Sequence, residues 1–127
     1  MSRLEKIALP NLPGLEVALT APNTLVMKGS ITMRDPAASL SGFTRAVHDG
    51  AVGDGVKELK VDLSELSFVN SSGIRLFVDW ATWLKGSPKP PYILSFVTDR
   101  RITWQRTSFK VLTTMFGDVM HVAELGS

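Results

Sequence analysis

No cysteine occurs among the 127 residues, and only two histidines do. The first absence excludes a disulfide scaffold, a thiolate metal site and a cysteine nucleophile together. The second leaves His48 and His121, far apart in the chain and without carboxylates at ligand spacing, which is no metal constellation. His48 reads as a solvated helix residue and His121 as a strand or tail residue. The Gly-x-Ser-x-Gly elbow of serine hydrolases is missing, because the residues around Ser72 run Ser-Ser-Gly-Ile. There is no Walker loop and no Gly-x-Gly-x-x-Gly, so no nucleotide cofactor is indicated. No stretch approaches the roughly eighteen apolar residues of a membrane span. The opening MSRLEKIALPNLPG lacks the apolar core of a signal peptide. The expectation is a soluble cytoplasmic protein without membrane insertion. Charge of one sign is scarce too. The net charge is +2, and the densest positive stretch, Arg100 and Arg101 with Arg106 and Lys110, is too sparse to argue for nucleic acid.

What is present is an ordinary globular balance, 44% hydrophobic and 20% charged. The length suits one domain over residues 1–127, with residues 1–13 expected as a flexible lead. Leu15, Val17 and Leu19 alternate with Glu16, Ala18 and Thr20, the period-two pattern of a half-buried strand. Pro22-Asn23 supplies a turn, and TLVMKGSI returns as the second arm of a hairpin. Asp35 followed by Pro36 opens a helix carrying Leu40, Phe43 and Val47, because the carboxylate can cap free N–H groups and proline at the first position gives up no needed donor. Gly50 to Gly55 ends it. Leu59, Val61 and Leu63 alternate through a third strand, KELKVDLSEL.

From Gly73 to Lys85 the pattern becomes helical, with Ile74, Phe77, Val78, Ala81 and Leu84 on one face. Leu76, Trp80 and Trp83 widen the apolar arc past what one packed face requires, and they read as an exposed strip. Lys85-Gly86-Ser87-Pro88 closes the helix. PYILSFV reads as an interior strand. Thr103 is the expected cap of a last helix, with Trp104, Phe109, Val111, Leu112, Met115 and Phe116 on its apolar half, ended by Gly117. VMHVAEL completes a possible final strand. The order β-β-α-β-α-β-α, with or without that strand, predicts an α/β domain with a mixed, mostly parallel sheet of four to five strands and helices packed against it.

The stretch SFVNSSGIR, residues 67 to 75, sits between the third strand and the second helix. It admits two readings. Asparagine and serine are favoured N-cap residues, and Gly73 eases a sharp strand-to-helix change, so the loop can be simply a cap. A serine at a helix N-terminus is also a good place for a phosphate, because unpaired N–H groups and the positive dipole end stabilise added negative charge. Such a charge switches a docking face. The neighbouring strip Leu76, Trp80 and Trp83 is then a candidate interface.

VDLSELSFVNSSGIRLF resembles the signature of STAS domains, the fold of anti-sigma factor antagonists, through Asp62-Leu63-Ser64, Phe68-Val69 and Ser71-Ser72-Gly73-Ile74. The resemblance implies a non-enzymatic binding module with no cofactor and no metal. It implies that a serine-protein kinase or anti-sigma factor of the histidine-kinase-like ATPase type phosphorylates Ser72, with Ser71 the lesser choice, and that a PP2C-type phosphatase reverses this. Partner contacts are expected at Asn70, Ser71, Gly73 and Ile74 around the serines and at Leu76, Trp80 and Trp83 of the apolar strip. Asn70 stands where the family has an aspartate, which leaves open a phosphorylation-free scaffold. The wide apolar arc leaves open a small-molecule or lipid-binding module of a larger complex. The tryptophan-rich helix points to a divergent branch with its own partner or to a homodimer face.

Overall fold

The structure is a computed structural model and describes residues 7, 9–10, 12–20, 23–32, 34–86, 89–99 and 101–125. Pro22, Ser87, Pro88, Arg100 and most of residues 1–13 lie outside that set. Within the lead, Ile7 and Leu12 pack against the core.

Five strands and three helices follow one another as β1 (Leu15–Thr20), β2 (Thr24–Ile31), α1 (Pro36–Gly53), β3 (Glu58–Val69), α2 (Ser71–Lys85), β4 (Ile93–Asp99), α3 (Thr103–Phe116) and β5 (Met120–Leu125). The final strand is present. The sheet has the order β1-β2-β3-β4-β5, with β1 antiparallel to β2 and every other pair parallel. Each of the three helical crossovers steps one strand in the same direction. Right-handed crossovers of that kind put all their helices on one face of a sheet. Burial agrees: along β3 Leu59, Val61, Leu63, Leu66 and Val69 are buried while Glu58, Lys60 and Glu65 are exposed. β4 is therefore not interior on both faces. Leu94 and Phe96 are fully buried under the helices, and Ile93, Ser95 and Val97 are only partly covered.

α1 begins as its sequence predicts, with Asp35 accepting a hydrogen bond from the Ala38 N–H at 3.2 Å ahead of Pro36. α3 does not: its N-cap is Ile102, which contributes no side-chain bond, and Thr103 is the first helical residue. The apolar half of α3 also differs from expectation. Phe109, Leu112 and Phe116 are buried, but Val111 and Met115 point outward, and the fourth buried position belongs to Gln105. The Gln105 amide spans two strands. Its Oε1 accepts the Asp99 N–H at 2.7 Å, and its Nε2 donates to the carbonyls of Leu63 and Leu66. β3 pairs with β4 only as far as Asp62, opposite Val97. Gln105, with the Trp104 indole donating to the Leu66 carbonyl at 3.0 Å, takes over where that ladder stops.

β3 itself is bulged. Between Val26 and Lys28, and again between Gly29 and Ser30, β2 advances one residue fewer than β3. The Asp62 carboxylate holds the first irregularity, accepting the Ser64 N–H at 2.9 Å and the Ser64 hydroxyl at 2.6 Å. The Ser67 hydroxyl donates to the Gly29 carbonyl at 2.8 Å beside the second. Each bulge shifts the alternation, which is why Leu63, Leu66 and Val69 all face the core at intervals of three.

His48 is buried, not solvated. The Trp80 indole donates to the Tyr92 hydroxyl oxygen at 2.6 Å, and that hydroxyl lies 2.8 Å from His48 Nδ1. The Tyr92 hydroxyl still has its own proton to give, and a neutral His48 with its proton on Nε2 can accept it at Nδ1, which satisfies both groups. Burial first, and then the Arg45 charge, hold the His48 imidazolium below its ordinary pKa of 6.5, with Asp49 opposing. A lowered folded pKa means that the unfolded chain takes up the proton first. The stability this network contributes is then fully present above pH 6.5 and falls as pH drops below it. Denaturant midpoints at pH 7.5 and 5.5 should show that loss, and His48→Gln should flatten it.

At the centre of the core the Phe77 ring meets Phe96 edge-on at 5.8 Å and Phe109 at 6.0 Å. Truncating Phe77 to alanine should cost about 3–5 kcal/mol in urea unfolding, through lost burial and the cavity left among those rings.

Candidate functional site

The strand β3 delivers the chain to Asn70, and α2 starts immediately beyond it. Asn70 is extended at φ −72° and ψ 169°, and its side-chain oxygen accepts the Gly73 N–H at 2.8 Å. Its own N–H donates to the Ile31 carbonyl at 3.0 Å, which fastens the cap to the end of β2. The capping role predicted for this loop is therefore filled by Asn70.

Ser71 and Ser72 are the first two residues of α2, and both are exposed. At these positions the backbone N–H groups have no acceptor within the helix, and they form the positive end of its dipole. The first turn contains no acidic residue, so no carboxylate of its own occupies that end.

Gly73 is buried, and its backbone is not left-handed. It is needed for a different reason from the turn freedom expected of it. A methyl group there would sit 2.5 Å from Val69 Cγ1 and 3.0 Å from Ile31 Cγ2. The glycine lets the first turn of α2 lie directly on the ends of β2 and β3. Ile74 is half-buried beside it.

The strip Leu76, Trp80 and Trp83 is not a surface. Leu76 is 2% exposed and Trp80 is 0% exposed. α2 is the middle helix, packed on α1 and α3 as well as on the sheet. A helix flanked on three sides needs an apolar arc far wider than one face, and that requirement is what the arc reflects. Trp83 lies half-buried between α2 and α1, with the Arg45 guanidinium 4.9 Å over its ring and His48 at 5.6 Å. Leu76 and Trp80, expected as exposed partner contacts, are thus buried in the core of this domain. What does reach the surface near the serines is Phe68, 49% exposed, which the second bulge leaves outside the core pattern, and Arg75 on the outer side of α2. The two bulges cancel in parity, so the alternation set by Leu59, Val61 and Leu63 also places Val69 inside and Phe68 outside.

The two histidines are placed away from hydroxyl activation. His48 is engaged with Tyr92, and His121 lies on an exposed position of β5. Among the described residues no three His, Asp or Glu side chains gather as a metal site requires, and no helix is long and apolar enough to cross a membrane.

The mixed five-stranded sheet with three helical crossovers on one side is an α/β fold of the STAS type, and the exposed serines open α2 at the end of β3. The fold matches the crystal structure of an anti-sigma factor antagonist from Mycobacterium paratuberculosis, with a TM-score of 0.55 and 21% sequence identity over 87% of this chain and 89% of that one. No family model matches the sequence, and no curated protein matches it.

Gly73→Ala should lower stability by about 1–3 kcal/mol, because the added methyl must displace Val69 or Ile31 in a packed site. The readout is the denaturant midpoint. Wild-type stability of the variant would show that the first turn of α2 does not sit as closely as these distances require.

Proposed function

We propose that this chain is a non-enzymatic regulatory binding module that acts by partner switching, with Ser72 as its phosphorylation site and Ser71 as the secondary one. The observation that carries the proposal is the placement of Ser72: an exposed hydroxyl at the second position of α2, at the positive helix end, with no acidic residue in that turn. The likeness in fold to an anti-sigma factor antagonist supports the class.

The docking face in this proposal consists of Ser71, Ser72, half-buried Ile74 and Arg75, together with Phe68 at the end of β3. Asn70 and Gly73 act from beneath it, one by capping and one by close packing, and Trp83 borders it at most through its exposed edge. The partner is a serine-protein kinase or anti-sigma factor of the histidine-kinase-like ATPase type, and a PP2C-type phosphatase restores the unmodified state. A phosphate adds nearly two negative charges at pH 7. On Ser72 it would be held by the free N–H groups of the helix start while changing the sign of the docking face. The domain acts in signal transduction upstream of transcription, in the cytoplasm.

A phosphate-free scaffold is the second reading, and Asn70 favours it. Its amide oxygen caps α2 without the negative charge an aspartate would place beside Ser72. The lipid-binding alternative loses its motive, since the apolar arc that suggested it is spent on packing against α1, α3 and the sheet.

Peptide mass spectrometry on the protein from its native host should find phosphate on Ser72. Ser72→Asp should weaken partner binding by at least about tenfold, roughly 1.4 kcal/mol, and Ser72→Ala should preserve it. Equal binding by both variants, with Ser72 never modified, would leave the scaffold.

A further inference from the structure

β5 closes the sheet order at one edge, so among the described residues no strand pairs with its outer side. On the helix side of that edge, α3 leaves a groove of about 830 Å³ open to solvent. Phe109, Val111 and Val122 supply its apolar lining, and Arg106 and Lys110 stand over it from α3. Neither cation is paired with a carboxylate among the described residues. Glu124 also lines the groove and is already engaged by another group.

We propose that this edge binds an acidic protein segment in extended conformation, which adds as a sixth strand beside β5. Unpaired strand edges are ready templates for such addition, with backbone bonds giving affinity and alternate side chains giving specificity. The two cations set the specificity. Arg106 and Lys110 are four residues apart on α3, a rise of about 6 Å along the helix. Same-face residues of an extended strand recur about every 6.6 Å. An acid-x-acid pattern therefore matches both cations at once, and an aliphatic residue two positions away can rest on half-buried Val122. A second copy of this chain is the poorer occupant. Twofold pairing through β5 is self-complementary by symmetry and would bring a second Arg106 and Lys110 to the same seam, where like charges repel.

The probe is a capped, fluorescein-labelled peptide, Val-Thr-Glu-Thr-Glu-Thr, titrated with the full chain in low salt and followed by anisotropy. Saturable binding is expected. The double variant Arg106→Glu, Lys110→Glu, whose exposed sites leave the core untouched, should weaken it at least about tenfold. A peptide N-methylated at alternate amides should weaken it equally, since strand addition needs those donors. The proposal is overturned by any of three results. The peptide does not bind at about 1 mM. The charge-reversed or N-methylated forms bind as well as the originals. Sedimentation shows a dimer that Val122→Lys dissociates, which gives the edge to a second copy. None of these measurements involves Ser72, so their failure leaves the switching proposal standing.

Discussion

Between the first turn of α2 and the ends of β2 and β3 there is no room for a side chain, and much of the molecule is arranged around that closeness. Gly73 rests against Val69 and Ile31, and the Asn70 cap is fastened both to Gly73 and to the Ile31 carbonyl. The axis of α2 is set by this seat. From it, Phe77 reaches the aromatic cluster under β4, and Trp80 reaches the Tyr92 hydroxyl that in turn holds His48 on α1. The same seat leaves Ser71 and Ser72 as the residues with nowhere to go but outward. A buried glycine and two exposed serines are thus opposite sides of one packing constraint.

Much of this architecture was legible in the chain. Period-two alternation marks β1 and the first half of β3, a turn marks β2 as the return of a hairpin, and Asp35-Pro36 marks the start of α1, because these signals are local. The second half of β3 was not legible. Its bulges break the alternation that would announce a strand, and the Asp62 carboxylate that stabilises the first of them looks, in sequence, like any acid near a loop. The run Asp62-Leu63-Ser64 has a structural meaning: the acid satisfies the N–H and hydroxyl of a serine thrown out of the ladder.

The candidate site was half legible. Asn70, Ser71, Ser72 and Gly73 stand together as their spacing suggests. Leu76 and Trp80 were misplaced because a helical wheel shows how wide an apolar arc is but not how many neighbours will cover it. Two buried polar groups left no sign at all. Gln105 and His48 have ordinary surface chemistry, and they are interior only because carbonyls of β3 and a tyrosine hydroxyl from beyond α2 await them. Such partners are distant in sequence, up to 44 residues in the case of Tyr92.

The strand order has a kinetic consequence. Because each strand pairs with the one before it, no crossover leaps over an unoccupied place in the sheet. Every new strand emerging during synthesis meets an edge already in position, which keeps loop closures short and contact order low for a parallel sheet. Assembly can therefore proceed in the direction of translation, the hairpin of β1 and β2 serving as the template and each helix covering the strand pair just completed. Until β5 arrives, the growing edge carries the unpaired amides of β4, so the interval between the two is the time at which a nascent chain is most open to joining its neighbours.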